Sequence, residues 1–206
     1  MISSVMISCD ARTIIREQTL KDLSETDWDW PIKLIIDKDY ISSTEYHQMD
    51  SRQRQTITSL EAIKAALSLD SEYIVFMEDD LIFNKFIKHN ILNWMPIKNE
   101  ILNFGSLYTP NNNRCSIKDG KNWYIADCLK LYGSQFFIMS RLSAQWSVDH
   151  WDTIEGMQDI KLTRLARGKP IYYYDPSLVQ HRETPSVWGG ISHKADNFDE
   201  YWKHPI

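Results

Sequence analysis

A mixed α/β fold, built on one mostly parallel sheet flanked by helices and followed by a flexible C-terminal tail, is predicted by three observations. Short apolar runs alternate with helical patterns along most of the chain. One of these runs, Tyr73 to Met77 (YIVFM), is apolar throughout, the mark of a strand buried on both faces. The 206 residues also suit a single domain at the usual ~150 residues per domain.

Ser4 to Ser8 (SVMIS) and Ile32 to Ile36 (IKLII, ending at Asp37) read as strands, with a helix around Thr13 to Leu23 between them. In ITSLEAIKAALSL, Ile57, Leu60, Ile63, Ala66 and Leu67 recur at helical spacing and make one apolar stripe. That helix feeds Tyr73 to Met77, which stops abruptly at Glu78-Asp79-Asp80. Three carboxylates therefore sit at the C-terminal end of a central strand. After Leu81 to Phe83 a helix is predicted to about Trp94, ended near Pro96, then a strand around Ile101 to Leu107. Thr109 to Gly120 is polar and turn-rich and reads as a loop. Gln135 to Ser140 (QFFIMS) is another buried strand, followed by a helix from about Leu142 to His150. A further helix runs from Gly156 or Met157 to Arg167, with Gly168 as its C-cap. Ile171 to Tyr174 is a late strand, Asp175-Pro176 a turn, and a short strand ends in His181. Beyond it the sequence is polar, carries Gly189-Gly190 and lacks periodicity, as a tail or mobile lid would.

Hydrophobic residues make up 43% of the chain and charged residues 25%, which excludes disorder and fibrous repeats. The net charge of −5 is uneven: residues 1–80 carry −8 and residues 81–206 carry +3. The acidic part suits cations and the rest suits anions. Cys9, Cys115 and Cys128 are odd in number and form no C-x-x-C, so no zinc site or disulfide framework is expected and a cytoplasmic setting is. The first residues lack a signal peptide's basic flank and apolar length, and no apolar run reaches the ~18 residues of a membrane span. The first glycine is Gly105, so the N-terminal half holds neither a G-x-G-x-x-G nor a G-x-x-x-x-G-K-[ST] phosphate loop. A nucleotide phosphate bound here must be neutralised by something other than a glycine nest.

Three constellations carry chemistry. Glu78-Asp79-Asp80 would repel one another at a buried strand end unless a cation or water relieves them, and hard oxygen donors suit Mg²⁺ or Mn²⁺. Capping of the next helix is the simpler alternative. Asp159 lies on the first turn of a helix, where the dipole stabilises an acid; it is either a cap or a base, and Asp152 and Glu155 are competing bases. His181 ends a late strand at the mouth of the segment holding Ser186-Val-Trp-Gly-Gly190.

In this order the three elements resemble the GT-A (Rossmann-like) glycosyltransferases, which use nucleotide sugars and carry an acidic D-x-D or E-D-D motif at the end of a central strand. The resemblance runs from the first strand to about Gly190. It matches Glu78-Asp79-Asp80, then Gln158-Asp159-Ile-Lys-Leu162-Thr-Arg164 against a pattern like E-D-x-x-L-x-x-R, then Gln180-His181. Gln158 stands where the family often has an acid. The resemblance implies Asp80 and His181 as ligands of Mn²⁺ or Mg²⁺, with Glu78 or Asp79 near the ribose or the water shell of the metal. It implies Asp159 as the base that deprotonates the acceptor hydroxyl, hence inversion at the anomeric carbon. Asp10 and Asp37 take places where the family often holds the base and ribose, Arg54 would reach the diphosphate, and Ser186 joins the donor-binding set. Residues 1–108 form the nucleotide-binding half, 109–190 the acceptor and catalytic half with a lid at 182–190, and 191–206 the tail.

Two other classes compete. A metal-dependent phosphodiesterase or nucleotidyltransferase would use the same acids and need a second carboxylate set, which Asp159 and Glu155 could supply. A non-catalytic carbohydrate-binding module could line a groove with the eight Trp and ten Tyr. The donor is expected to be a UDP-sugar. The acceptor is open: Lys161, Arg164, Arg167, Lys169 and Arg182 make the surroundings of the base basic, which suits an anionic acceptor such as a phosphorylated glycan, a lipid-linked sugar or a hydroxylated DNA base. The net charge and the lack of an aromatic-basic stripe count against nucleic acid.

Overall fold

The computed structural model describes residues 1–37, 48–109, 123–126, 134–166, 168–184 and 194–205. Its first half comprises β1 (Ile2–Cys9), a 3-10 turn at Asp10–Arg12, α1 (Thr13–Ser24), β2 (Ile32–Asp37), α2 (Ser51–Leu67), β3 (Tyr73–Met77) and β4 (Leu81–Phe83). The short helices α3 (Ile87–Asn93) and α4 (Met95–Lys98) precede β5 (Phe104–Ser106), β6 (Trp123–Ala126) and β7 (Phe136–Ser140). Then come α5 (Arg141–Asp149), a 3-10 turn at Trp151–Thr153, α6 (Gln158–Leu165), β8 (Ile171–Tyr174) and β9 (Val179–His181).

Seven strands form one sheet in the order β2-β1-β3-β7-β5-β8-β6, and β4 pairs with β9 in a second, two-stranded sheet. Strands β2, β1, β3, β5 and β8 run one way, and β7 and β6 run against them. The sheet is thus mixed but mostly parallel, as expected. The continuous apolar run in β3 has its explanation in two cores. Ile74 and Phe76 join Val5, Ile7, Ala62, Ile63 and Ala66 beneath α2. Val75 and Met77 face the other way, into a core with Met6, Trp94, Tyr108 and Tyr174. A strand buried on both faces has no room for alternation.

Helix α2 begins earlier than its apolar stripe, because Asp50 and Gln53 close a capping box: the Asp50 carboxylate accepts from the Gln53 N–H and the Gln53 side chain accepts from the Asp50 N–H. Leu81–Phe83 forms β4, paired with β9, and the helix expected after it is α3, which starts only at Ile87.

Residues 194–205 are not the free tail that their polar sequence suggested. Two fully buried asparagines hold the segment down: Asn84 Nδ2 donates to the carbonyls of Asp199 (2.7 Å) and Trp202 (2.8 Å), and Asn90 Oδ1 accepts from the His204 N–H (2.8 Å). The Trp202 ring meets Tyr174 edge-on. The docking satisfies backbone groups through side chains more than 100 residues away, which no local pattern can reveal.

In β5, a Cβ on Gly105 would come within 2.6 Å of the buried Trp94 ring. Gly105→Ala is expected to overpack this junction by ~1–3 kcal/mol and to lower the melting temperature by roughly 3–10 °C. An unchanged melt would show that Trp94 does not press on β5.

Candidate functional site

The register places several chain exits at one edge of the sheet. Cys9 is level with Asp37 across β1 and β2, and Met77 is level with Phe136 across β3 and β7. The parallel strands therefore leave the sheet where antiparallel β7 enters it. Open α/β sheets bind ligands outside the carboxyl ends of their strands, and the acidic triplet lies at that edge. The Glu78 N–H donates to the Gln135 carbonyl at 2.8 Å, turning the chain just past β3.

Asp79 and Asp80 are each only 4% exposed. Asp79 accepts from Ser8 Oγ (2.5 Å) and Arg12 Nε (2.8 Å), and its carbonyl accepts from Thr19 Oγ1 (2.7 Å). Ser8 is itself held by the buried Arg16 (2.9 Å). Asp80 Oδ2 accepts from Arg12 Nη2 (2.5 Å) and lies 3.1 Å from His181 Nε2. The pairing of Leu81 with His181 across β4 and β9 sets that contact, and the Arg182 N–H fixes it by donating to the Asp80 carbonyl at 2.8 Å.

Each acid answers its burial differently. Among the described residues the Glu78 side chain accepts from the Gln55 amide (3.3 Å); burial first, then the charge of Asp80, pushes its carboxyl up to about 8, so it holds its proton at neutral pH. Asp79 is also raised, because burial outweighs its Arg12 and Ser8 partners. For Asp80 burial is again the largest influence, but the hydrogen bond and charge of His181, with the charge of Arg12, outweigh it and hold the carboxyl below its ordinary value. His181 is raised in turn: burial opposes its charge, and Asp80 and Glu78 prevail.

Asp80 Oδ1 and His181 Nδ1 are buried with no hydrogen-bond partner among the described residues. Asp80 Oδ2 and His181 Nε2 have the spacing of neighbouring ligands on an octahedral ion, since bonds of ~2.1 Å at right angles put two donors ~3 Å apart. No group of three His, Cys, Asp or Glu among the described residues could hold an ion unaided. A two-donor site fits Mg²⁺ or Mn²⁺ completed by substrate phosphate oxygens and water.

The start of α6 lies next to this cluster. Gln55 and Ser59, one turn apart on α2, touch Glu78 and Gln158 respectively. Gln158 is buried and also donates to Ser134 Oγ (2.8 Å), beside the Gln135 that receives Glu78. Residues at i and i+4 are helix-surface neighbours, ~5–6 Å apart at Cβ. Asp159, the residue after Gln158, is half-buried, and its Oδ1 accepts the Ile160 N–H at 2.8 Å. Asp152 and Glu155 are exposed on the preceding loop, which buried Lys161 ties down by donating to the carbonyls of Trp151 and Ile154.

The remaining expected residues scatter. Asp37 and Arg54 face each other at 3.7 Å, so two expected donor contacts form one ion pair. Asp10 is exposed on the 3-10 turn. Ser186, most of the lid and residues 110–120 of the loop lie outside the described residues. The expected basic acceptor surface is smaller than its sequence suggested, because Lys161 is turned inward and Arg182 pairs with Asp22. Ser8, Arg12, Arg16, Thr19 and Gln55 were missed by sequence reasoning. A usable signal existed for the arginines: Arg12 and Arg16 are one helical turn apart just after a strand, in the acidic half of the chain.

No family model and no curated protein matches the sequence. Solved structures do match its fold. The galactosyltransferase LgtC, in complex with donor and acceptor sugar analogs, aligns with TM-score 0.53 at 10% identity over 90% of this chain and 88% of its own. An active-site mutant of LgtC aligns with TM-score 0.52 at 10% identity over 84% of this chain and 72% of its own. TarS 1-349 of S. aureus, in complex with UDP-GlcNAc, aligns with TM-score 0.55 at 13% identity; 93% of this chain matches 62% of that one. The chain has the GT-A fold. No helix among the described residues is long and apolar enough to cross a membrane.

The protonation pattern fixes a pH dependence for the ligand-free protein. Glu78 is raised from 4.5 to about 8 and His181 is raised from 6.5, so both groups take up protons on folding. Their contribution to stability is full below their unfolded values and is lost as pH rises through the folded ones. Melting temperatures in chelator are expected to fall between pH 5 and 8.5. Glu78→Gln, which matches the neutral carboxyl, should gain on wild type steadily over that range; a constant difference would contradict the assignment.

Proposed function

We propose that the chain is a glycosyltransferase that moves a sugar from a nucleoside diphosphate sugar, a UDP-sugar by preference, to an acceptor hydroxyl. The observation that carries this reading is the meeting of the Asp80–His181 pair with the start of α6 at the carboxyl edge of a GT-A sheet. UDP is favoured because TarS, which shares the fold, was solved with UDP-GlcNAc.

Asp80 and His181 would hold the Mn²⁺ or Mg²⁺, which supplies Lewis-acid charge to the leaving diphosphate. Glu78, protonated at neutral pH, can donate a hydrogen bond to a ribose hydroxyl while Gln55 steadies its other oxygen. Asp159 would accept the proton of the acceptor hydroxyl as that oxygen attacks the anomeric carbon from the face opposite the diphosphate, which gives inversion. Among the described residues its carboxylate accepts one N–H of its own helix, through Oδ1, which leaves the other oxygen to serve as base. Lys161 keeps the loop before α6 in place and so sets the position of that acid. The odd number of cysteines, without C-x-x-C spacing, supports a cytoplasmic setting.

Thermal shift against a panel of nucleoside diphosphates and nucleotide sugars tests this reading. UDP or a UDP-sugar at 100 times Kd is expected to raise the melting temperature by about 5–10 °C with Mn²⁺ and by much less in chelator. His181→Ala should abolish the shift, whereas Asp159→Asn should keep it and lose transfer. No metal-dependent shift with any nucleotide would remove the reading, and a product retaining the donor's anomeric configuration in a proton NMR time course would remove the inverting role of Asp159.

A further inference from the structure

Arg12 is the cation that the ligand-free acid cluster depends on. Its guanidinium bridges two buried carboxylates, Nε to Asp79 Oδ1 at 2.8 Å and Nη2 to Asp80 Oδ2 at 2.5 Å. The second of these oxygens is the one that faces His181 Nε2. A guanidinium nitrogen at 2.5 Å from Asp80 Oδ2 covers the approach that a divalent ion shared with His181 would use. The side chain itself is not sealed in: 14% of it is exposed, and it stands between the 3-10 turn and α1 at the rim of the sheet edge.

We propose that Arg12 is a placeholder for the divalent ion: it pairs with Asp79 and Asp80 when no ion is bound, gives up Asp80 when the ion arrives, and turns to the diphosphate of the donor. This rests on the transferase reading and adds a coupling to it. A metal ion must displace a resident cation from a buried carboxylate, so the ion alone binds weakly. A diphosphate gives the released guanidinium a bidentate partner of the kind it suits best. Ion and nucleotide therefore favour the same arrangement, and each tightens the binding of the other by the same factor. The arrangement also answers the absence of a glycine nest in the N-terminal half, since the positive charge for the phosphates comes from a side chain already stored at the site.

Calorimetric titration of Mn²⁺ alone, UDP alone, and each in the presence of the other, on wild type, Arg12→Gln and Arg12→Lys, tests the placeholder. Wild type is expected to bind Mn²⁺ weakly and to gain about tenfold or more when UDP is present, within the usual range of coupled sites. Arg12→Gln should bind Mn²⁺ alone about tenfold tighter than wild type, bind UDP about tenfold more weakly in saturating Mn²⁺, and lose most of the coupling. Arg12→Lys, which keeps the charge but cannot bridge two carboxylates with a planar fork, should lie between them; it decides the matter if the glutamine variant does not fold. Mn²⁺ affinity that is unchanged or weaker in the variants overturns the inference. Wild type that binds no UDP at any Mn²⁺ concentration overturns the transferase reading instead, and the Mn²⁺-only arm still judges the place of Arg12.

Discussion

Three consecutive carboxylates at the exit of a strand buried on both faces form the constraint around which the molecule is arranged. A carboxylate taken out of water is expensive unless its charge is paired or removed by a proton. The triplet uses both remedies: Glu78 keeps its proton beside an amide, while Asp79 and Asp80 share a guanidinium, with an imidazole added for Asp80. Placing those partners explains much of the local architecture. The 3-10 turn and α1 deliver Arg12, Arg16 and Thr19, β1 brings Ser8 just before its end at Cys9, and the pairing of β9 with β4 brings His181 and the Arg182 backbone.

The mixed sheet matters to this arrangement. Because β7 runs against β3, it enters the sheet where β3 leaves it, so Ser134 and Gln135 stand beside Glu78 and Gln158. A parallel neighbour in that position would have put its entry at the far edge. The docked residues 194–205 act on the other side. They satisfy Asn84, which immediately follows β4, and Gln180 in β9 exchanges hydrogen bonds with the backbone of Ala195. The two-stranded sheet that carries His181 to Asp80 is thus braced from both of its strands.

What could be read from the sequence was what local pattern controls. The strand Tyr73–Met77 and the late strand Ile171–Tyr174 coincide with their predicted limits, and the acids were legible because an apolar run ends on them. Partners distant in sequence were not. Arg12 meets acids 67 and 68 residues away, and β4 pairs with a strand that lies far beyond it in the chain. Neither leaves a mark on hydrophobic periodicity. Arg54 and Asp37 show the same limit: the sequence puts both near the donor and carries no sign that they face each other.

Gln158, which interrupts the acidic pattern expected before the base, follows from the same constraint. It is buried one α2 turn from Glu78. A carboxylate there would add a fourth acid to a cluster whose burial and mutual repulsion already push Glu78 up to about 8. A glutamine keeps the hydrogen bonds, accepting from Ser59 and donating to Ser134, and brings no charge. It still locks the first turn of α6 to α2 and to the entry of β7. Asp159, one residue further and half-buried, stands at the rim while its neighbour anchors the helix. The glutamine thus supplies the hydrogen bonds of that position without adding a charge to the raised Glu78 next door.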